Sequence, residues 1–308
     1  MAGCSREFRW SSFLLNDEDP RAFYRSPWLV NQRIFVAYRV TLAVVLVAIL
    51  VWDFLDGPYN KWHIYYTNWG FTLLTCHAVW AAIVCVIGYR HERSTNGSES
   101  DRSSSSDDDD GREPPELSHG YVEVPEVKSY DVNKLEDPLK WYHKVEWVLF
   151  NIATPLAFYL TTAYCGFLSS GTFKVISVFE HIMNTVLATL DLFICGIPVR
   201  LLHVLHVFLF GWIYAGFTIV YWAAGGTNAE GQPYVYWFVD YSSHPGRAAC
   251  FIAGSALVGT SAIYLFVYGL YRLRVAMVTC VTGVKARKVA AVRSISTDST
   301  KPCITLEA

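Results

Sequence analysis

Six apolar stretches, each close to the length needed to cross a bilayer, constrain the fold of this chain more than any other feature. They lie at about 34–56, 65–89, 145–167, 176–197, 201–224 and 248–271. A helix needs about 20 apolar residues to cross the hydrocarbon core of a membrane. Because that core offers no water to backbone groups, such segments must be helical. The sequence therefore predicts an all-α fold, a six-helix transmembrane bundle.

Lysine and arginine are distributed unevenly between the two sides of these spans. Five lie in residues 1–33, seven in 90–140 and seven in 272–308, whereas the connections on the opposite side carry three in total. Because cytoplasmic loops carry the excess of positive charge, we expect both termini in the cytosol. Arg39, near the inner end of the first span, is expected to extend to the lipid headgroups, as long charged side chains do.

The charges and the apolar stretches divide the chain into five segments. We expect a cytosolic N-terminal segment at 1–33, transmembrane helices 1 and 2 at 34–90, helices 3 to 6 at 140–272 and a cytosolic tail at 273–308. Between the two groups of helices, 91–139 contains four consecutive serines followed by four aspartates. This composition cannot bury enough apolar surface to fold, so it predicts a disordered acidic cytosolic loop.

The fourth apolar stretch carries polar side chains that a helix facing lipid normally lacks. At about 100° per residue, His181, Asn184, Thr185 and Asp191 fall within roughly 120° of one another. A polar group at this depth is costly unless it finds a partner in the interior of the bundle. We therefore expect this helix to be central, with its polar face turned inward.

Further polar residues are expected at the outer end of the bundle. Thr67 and Asn68 begin the second span just inside the outer leaflet, at the depth expected for His181. The outer loop 225–247 is rich in glycine and aromatic residues, and we expect it to lie over the outer mouth of the bundle. The sequence predicts a polar pocket that opens toward the outer leaflet and is formed by Asn68, Asn184, Thr185, Asp191 and Asp240.

Two histidines at the start of the fifth span allow two interpretations. His203 and His206 lie near the expected depth of Glu146 and Asp191, and two histidines with two carboxylates are potential metal ligands. However, these residues come from separate helices and show no spacing motif. We therefore favour interfacial histidines and ion pairing with Lys144, and we expect no metal and no cofactor.

The chain resembles the family of protein rolling stone, insect multi-pass membrane proteins of myoblast fusion. The resemblance covers about residues 25 to 275 and rests on YTNW at 66–69, HxxN at 181–184 with Asp191-Leu192 downstream, and GGT at 225–227 followed by YxYxxxD at 234–240. It implies a plasma-membrane protein of cell fusion or muscle development, without a known catalytic step. Expected partners are membrane lipids and proteins that contact the outer loop or the acidic loop; no nucleic acid is expected.

The order of the six spans, Thr67 at the head of the second span, and YxFxD at 236–240 before Pro245-Gly246 carry a more distant resemblance. On these features the chain resembles the androgen-induced membrane hydrolases, which cleave fatty-acid esters of hydroxy fatty acids with a threonine nucleophile and a histidine base. Thr67 falls on the nucleophile position, but Asn184 falls on the position of the catalytic histidine. An amide cannot take a proton from a hydroxyl, and a threonine nucleophile needs an adjacent base. We therefore favour the fusion role; the alternative is an intramembrane threonine-type lipid ester hydrolase that uses Thr67 with His181.

Overall fold

Helices and turns are the regular structure of this chain. The computed structural model describes residues 10–16, 18–56, 60–104, 139–168 and 182–298. These residues contain no strand. The predicted all-α class is therefore confirmed.

Seven α-helices of ten or more residues make up most of the described chain. In order, they are α1 (Gln32–Asp56), α2 (Tyr66–Ser104), α3 (Trp141–Ala163), α4 (Asn184–Ile194), α5 (Val204–Ala223), α6 (Pro245–Gly254) and α7 (Thr260–Asp298). A π-helical segment, Ser255–Gly259, joins α6 directly to α7, and another, Tyr164–Leu168, follows α3. A four-residue helix, Arg21–Tyr24, precedes α1.

Within the described residues, five helical stretches are long and apolar enough to cross a membrane. They are Gln32–Asp56, Tyr66–Thr95, Trp141–Gly166, Leu201–Ala223 and Pro245–Gly283. The remaining expected span, 176–197, contains α4, which has 11 residues. Residues 169–181, which precede α4, lie outside the described residues. The protein is thus a helical membrane protein, and its described part contains five helices that are long and apolar enough to span a bilayer.

Two helices continue past the boundaries expected from hydropathy. α2 runs to Ser104 rather than ending near residue 90, and α7 runs to Asp298, within the segment expected to be a tail. Extending an existing helix is much easier than starting one, and each extension contains one glycine and no proline. The rest of the predicted disordered loop, from residue 105 to 138, lies outside the described residues.

The second and third spans form the centre of the described bundle. α2 packs against α1 and α3, and α3 also contacts α4, α5 and α7. In the most apolar part of α2, 56% of the residues are buried, more than in the other spanning helices. Ala78, Ala81 and Ala82 are buried along α2, and small residues let neighbouring helices approach closely.

The polar face of α4 is turned inward, as the spacing of its residues predicts. Asn184 and Asp191 are buried, whereas Val186 and Leu190 on the other face are exposed. His181, the first member of the predicted polar face, lies outside the described residues. The inward orientation is therefore confirmed for the described part of this helix.

Candidate functional site

A buried group of charged side chains lies where α1, α2, α3 and α4 meet. Nη1 of Arg39 and Oδ1 of Asp191 are 2.6 Å apart, and the two side chains are only 0% and 4% exposed. The hydroxyl of Tyr38 donates a hydrogen bond to the same carboxylate oxygen at 3.1 Å. We call Arg39, His77, Glu146 and Asp191 the ionic cluster.

His77 of α2 connects the two carboxylates of the ionic cluster. Its Nε2 lies 3.0 Å from Oδ2 of Asp191, with hydrogen-bond geometry. Its Nδ1 lies 3.2 Å from Oε1 of Glu146, which is an ion-pair distance without hydrogen-bond geometry. The ring of Phe150 packs beside the imidazole, with the ring centres 5.5 Å apart. Side chains from α3 and α4 therefore hold this histidine of α2.

The expectation that Arg39 extends to the lipid headgroups is wrong. The side chain is fully buried, and its guanidinium lies 5.2 Å from the ring centre of Phe35 and 5.9 Å from that of Tyr38. A buried guanidinium needs a counter-ion to offset its lost hydration. Asp191 provides that counter-ion from a helix much later in the chain, so the sequence around Arg39 could not reveal it.

His77 is a candidate that the sequence analysis missed. It lies inside the second apolar stretch, between Cys76 and Ala78. An ionisable residue within a membrane span marks a polar site by default. That rule, applied to each span in turn, identifies His77 without any structural information.

The ionic cluster has unused hydrogen-bonding capacity and an unbalanced number of charges. Among the described residues, neither carboxylate oxygen of Glu146 has a hydrogen-bond partner, and the same holds for Nε and Nη2 of Arg39. One guanidinium faces two carboxylates, so a neutral cluster needs one further proton, on His77 or on Glu146. Because a buried net charge is costly, we expect the cluster to hold that proton.

Arg274 of α7 caps the C-terminal end of α4, the helix that carries Asp191. Its Nη1 donates to the carbonyls of Leu192 and Cys195 at 2.8 Å, and its Nη2 donates to those of Ile197 at 2.8 Å and Gly196 at 3.4 Å. The last carbonyls of a helix have no donors within the helix, and a positive charge there is favourable. The guanidinium thus fixes the position of α4.

His203 and His206 do not join the carboxylates. Their rings pack against each other and against Phe13. The predicted ion pairing with Lys144 is wrong, because the carboxylates at this level pair within the ionic cluster and Nζ of Lys144 lies 3.4 Å from Oδ1 of Asn16. In the described part of the chain, no group of three or more His, Cys, Asp or Glu side chains is arranged to hold a metal ion.

A second site, which we call the outer cavity, lies between α2, α3, α5, the outer loop and the α6 region. Its volume is about 110 Å³, and Tyr66, Thr67 and Tyr159 form part of its wall. Tyr236 and Phe238 of the outer loop also line it, as expected for a loop over the outer mouth of the bundle. The cavity is thus enclosed by both helices and loop.

Thr67 lines the outer cavity, but the described lining contains no side chain that could act as its base. Oγ1 of Thr67 lies 3.4 Å from Oδ1 of Asn68. No His, Asp, Glu or Lys is among the described lining residues. His181, the predicted base, lies outside the described residues. A threonine hydroxyl without a base is a weak nucleophile.

Three of the predicted pocket residues, Asn68, Asn184 and Thr185, do not belong to the lining of this cavity. The amide of Asn68 donates to a backbone carbonyl at 2.6 Å. The hydroxyl of Thr161 donates to Oγ1 of Thr185 at 2.6 Å, and Thr185 donates to the carbonyl of Ala157 at 2.9 Å. Asn184 is fully buried, and its amide has no hydrogen-bond partner among the described residues. The side chains of Asn68 and Thr185 therefore make structural hydrogen bonds.

Asp240 orders the outer loop. Its Oδ1 accepts hydrogen bonds from the backbone N–H groups of Ser242 at 3.0 Å and Ser243 at 2.9 Å. Oδ2 lies 3.5 Å from Nδ1 of His244. Hydrogen bonds from the Ser243 backbone, above all, hold the pKa of Asp240 below its usual value. Aspartate commonly stabilises turns in this way.

Known proteins match most of the chain. The family model described as Protein rolling stone matches residues 135–292, just over half of the chain. Protein rolling stone of Drosophila melanogaster is 27% identical over 264 residues, which cover 82% of each chain. No solved structure matches. The family resemblance found in the sequence motifs is therefore confirmed, and this chain belongs to the protein rolling stone family.

Proposed function

We propose that this rolling stone-like membrane protein acts in the fusion of muscle precursor cells or in muscle development. The resemblance of the sequence motifs implies this role. A match over 82% of both chains supports assigning this role to the present chain, because the similarity is not confined to one span. In this proposal the protein acts at the plasma membrane, with both termini in the cytosol.

The burial of the ionic cluster is the observation that favours a membrane scaffold over an enzyme. Arg39, His77, Glu146 and Asp191 are all buried, so a substrate has no access to them. Charged groups in a bundle interior instead restrict how the helices can pair, since a different pairing would leave a charge without a partner. On this proposal, the cluster holds α1 to α4 in one arrangement. It thereby shapes the outer and the cytosolic surface of the bundle.

We propose that the outer loop 225–247 and the acidic segment 91–139 contact protein partners, while the exposed apolar faces of the spans contact lipids. The loop presents Trp237, which is 49% exposed. The guanidinium of Arg247 lies 5.4 Å from its ring centre and donates to its carbonyl at 2.8 Å. Ordered tryptophan and arginine side chains are enriched at protein interfaces, which supports a partner at this loop.

A threonine-type lipid ester hydrolase is the second candidate, favoured by the position of Thr67 in the wall of the outer cavity. It would use Thr67 as nucleophile and His181 as base. The described lining offers no other base, and an asparagine stands at 184, where the hydrolases have their catalytic histidine. We therefore rank the fusion role first.

Depletion and rescue in cultured myoblasts tests the proposal. Removing the protein is expected to lower the fraction of nuclei in multinucleate cells, and the wild-type chain should restore it. Thr67→Ala should restore fusion equally well, because a scaffold needs no nucleophile. Asp191→Leu should fail to restore it, because this change leaves Arg39 buried without its counter-ion.

Two results would overturn this ranking. Unchanged fusion after complete depletion would contradict the fusion role. If Thr67→Ala reached the cell surface normally but failed to restore fusion, and if wild-type membranes hydrolysed lipid esters that Thr67→Ala membranes left intact, the hydrolase would be the correct function.

A further inference from the structure

The described lining of the outer cavity is uncharged, and the cavity reaches the lipid-facing surface of the bundle. No Asp, Glu, Lys, Arg or His belongs to its described lining. Trp212 of α5 lines the cavity and is 53% exposed, so the cavity extends to the outside of that helix. Leu257 and Val258, which follow the lining residues Ser255 and Ala256, are 65% and 70% exposed. An apolar chain in the bilayer therefore has direct access to the cavity.

Hydroxyl groups gather on the side of the cavity formed by the start of α2. The hydroxyl of Tyr236 accepts the backbone N–H of Tyr66 at 2.9 Å, and the hydroxyl of Tyr214 donates to the carbonyl of Ile64 at 2.7 Å. In the described part of the chain, the hydroxyl of Tyr66 itself makes no hydrogen bond. Tyr66 is half-buried, so its hydroxyl favours a hydrogen-bonding partner, and a ligand in the cavity would provide one.

The size and chemistry of the cavity limit what it can hold. Its volume of about 110 Å³ is somewhat smaller than an apolar cavity of about 150 Å³ that binds benzene. A few carbon atoms and one oxygen fit this space, whereas a phospholipid headgroup does not. A carboxylate or phosphate would also lose its hydration without meeting a counter-ion among the described lining residues, which is costly.

We propose that the outer cavity binds the polar end of a neutral, single-chain lipid that carries a hydroxyl group, such as a long-chain alcohol. The lipid oxygen hydrogen-bonds to the hydroxyl of Tyr66. The aliphatic chain leaves the cavity beside Trp212 and continues into the bilayer. Tyr236 and Phe238 of the outer loop close the opposite side. This binding site is independent of the fusion role, since it rests on the lining of the cavity alone.

Photo-crosslinking of the full chain in phosphatidylcholine vesicles tests this site. The probe is hexadecanol with a diazirine near its hydroxyl end and an alkyne at the other end of its chain. The matching hexadecanoic acid probe differs only in its charged head. Labelled protein is digested, and the labelled peptides are identified by mass spectrometry. Unlabelled hexadecanol in excess serves as competitor.

Gly211 and Gly216 provide a matched pair of variants on α5. Gly211 lines the cavity, and a Cβ added there would meet only the Tyr66 hydroxyl, at 3.8 Å. Gly216 is exposed and does not line the cavity, and a Cβ added there would meet nothing within 4 Å. Gly211→Leu therefore fills the cavity, whereas Gly216→Leu places the same side chain on the outer surface. Tyr66→Phe removes only the hydroxyl and remains informative if Gly211→Leu does not fold.

The expected result is competable labelling of lining peptides by the hexadecanol probe and much weaker labelling by the acid probe. Gly211→Leu should lower labelling about tenfold, which corresponds to about 1.4 kcal/mol, and Gly216→Leu should not change it. Tyr66→Phe should lower it roughly 2- to 12-fold, the effect of one hydrogen bond. Equal labelling of the two leucine variants, or equal labelling by the two probes, would overturn the proposal.

Discussion

Arg39 and Asp191 are 152 positions apart in the chain and meet at 2.6 Å in the interior of the bundle. Their contact joins the first apolar stretch to the fourth. Moving two such ions out of water is costly, and their mutual attraction offsets that cost only while both are present. The loss of one partner should therefore be more harmful than the loss of both.

Replacing one member of this pair should destabilise the protein more than replacing the pair. Arg39→Met or Asp191→Leu leaves one buried charge and is expected to lower the free energy of unfolding by about 3–5 kcal/mol. The double variant should lose less than either single variant. Thermal unfolding of the purified variants in detergent, monitored by gel filtration, measures these differences.

Asp56→Leu is the control for this series. Asp56 is the exposed last residue of α1, so its replacement should change stability by no more than about 0.5 kcal/mol. A double variant as unstable as the sum of the two single variants would show that the pair is not coupled.

Within the ionic cluster, Asp191→Asn should be more harmful than Glu146→Gln. Asp191 contacts Arg39, His77 and Tyr38 at hydrogen-bond distance, whereas Glu146 contacts His77 alone among the cluster. With glutamine at 146, a neutral His77 leaves a balanced pair of Arg39 and Asp191. With asparagine at 191, the guanidinium loses its nearest counter-ion. The same unfolding measurement decides the order, and a larger loss for Glu146→Gln would reject this account.

Lysine at position 274 should not preserve the stability that Arg274 provides. The planar guanidinium reaches four carbonyls at the end of α4, whereas an ammonium group has no fork of fixed donors. Arg274→Lys is therefore expected to cost about 1–3 kcal/mol for carbonyls left without donors, close to the cost of Arg274→Met. Arg272→Lys, on the exposed side of the same helix, is the control. If Arg274→Lys were as stable as the wild type, a positive charge alone would be enough to cap the C-terminal end of α4.

The Asp240 turn should depend on pH in one direction. Its pKa in the folded loop lies below the usual value, which is about 3.9 for an unperturbed aspartate. The carboxylate therefore stabilises the turn above that value, and this contribution disappears as the pH falls through the lower folded pKa. Amide hydrogen exchange of Ser242 and Ser243 should be slower in the wild type than in Asp240→Ala at pH 7. The two proteins should converge as the pH falls through the lowered pKa of Asp240, and a difference that grows with acid would contradict this prediction.

The charge distribution predicts that the outer loop faces the outside of the cell. Gly231 is exposed, has a φ of +81° and has nothing within 4 Å of a would-be Cβ, so an epitope inserted there should not disturb the loop. Antibody should bind this epitope on intact cells, but should bind one inserted after residue 111 only after permeabilisation. Glycosylation of Asn96 in the native protein would reverse the orientation.

Local properties of the sequence were enough to determine the helical class, the positions of five of the six predicted apolar helices and the inward face of α4. The reason is that each depends on residues close together in the chain: a span needs about 20 apolar residues, and Asn184 and Asp191 share a face through helical spacing alone. The motifs around residues 66–69 and 225–240 likewise indicated the family.

Only the tertiary structure decided which side chains meet. Arg39 was expected among headgroups because its partner lies on another helix, and hydropathy carries no information about which helices pack together. For the same reason, two of the predicted pocket residues lie apart: Asp191 belongs to the ionic cluster, and Asp240 orders the outer loop. Thr67, the candidate nucleophile, lines the outer cavity instead. Contacts between distant segments follow from the packing of whole helices, so they become visible only when the bundle is complete.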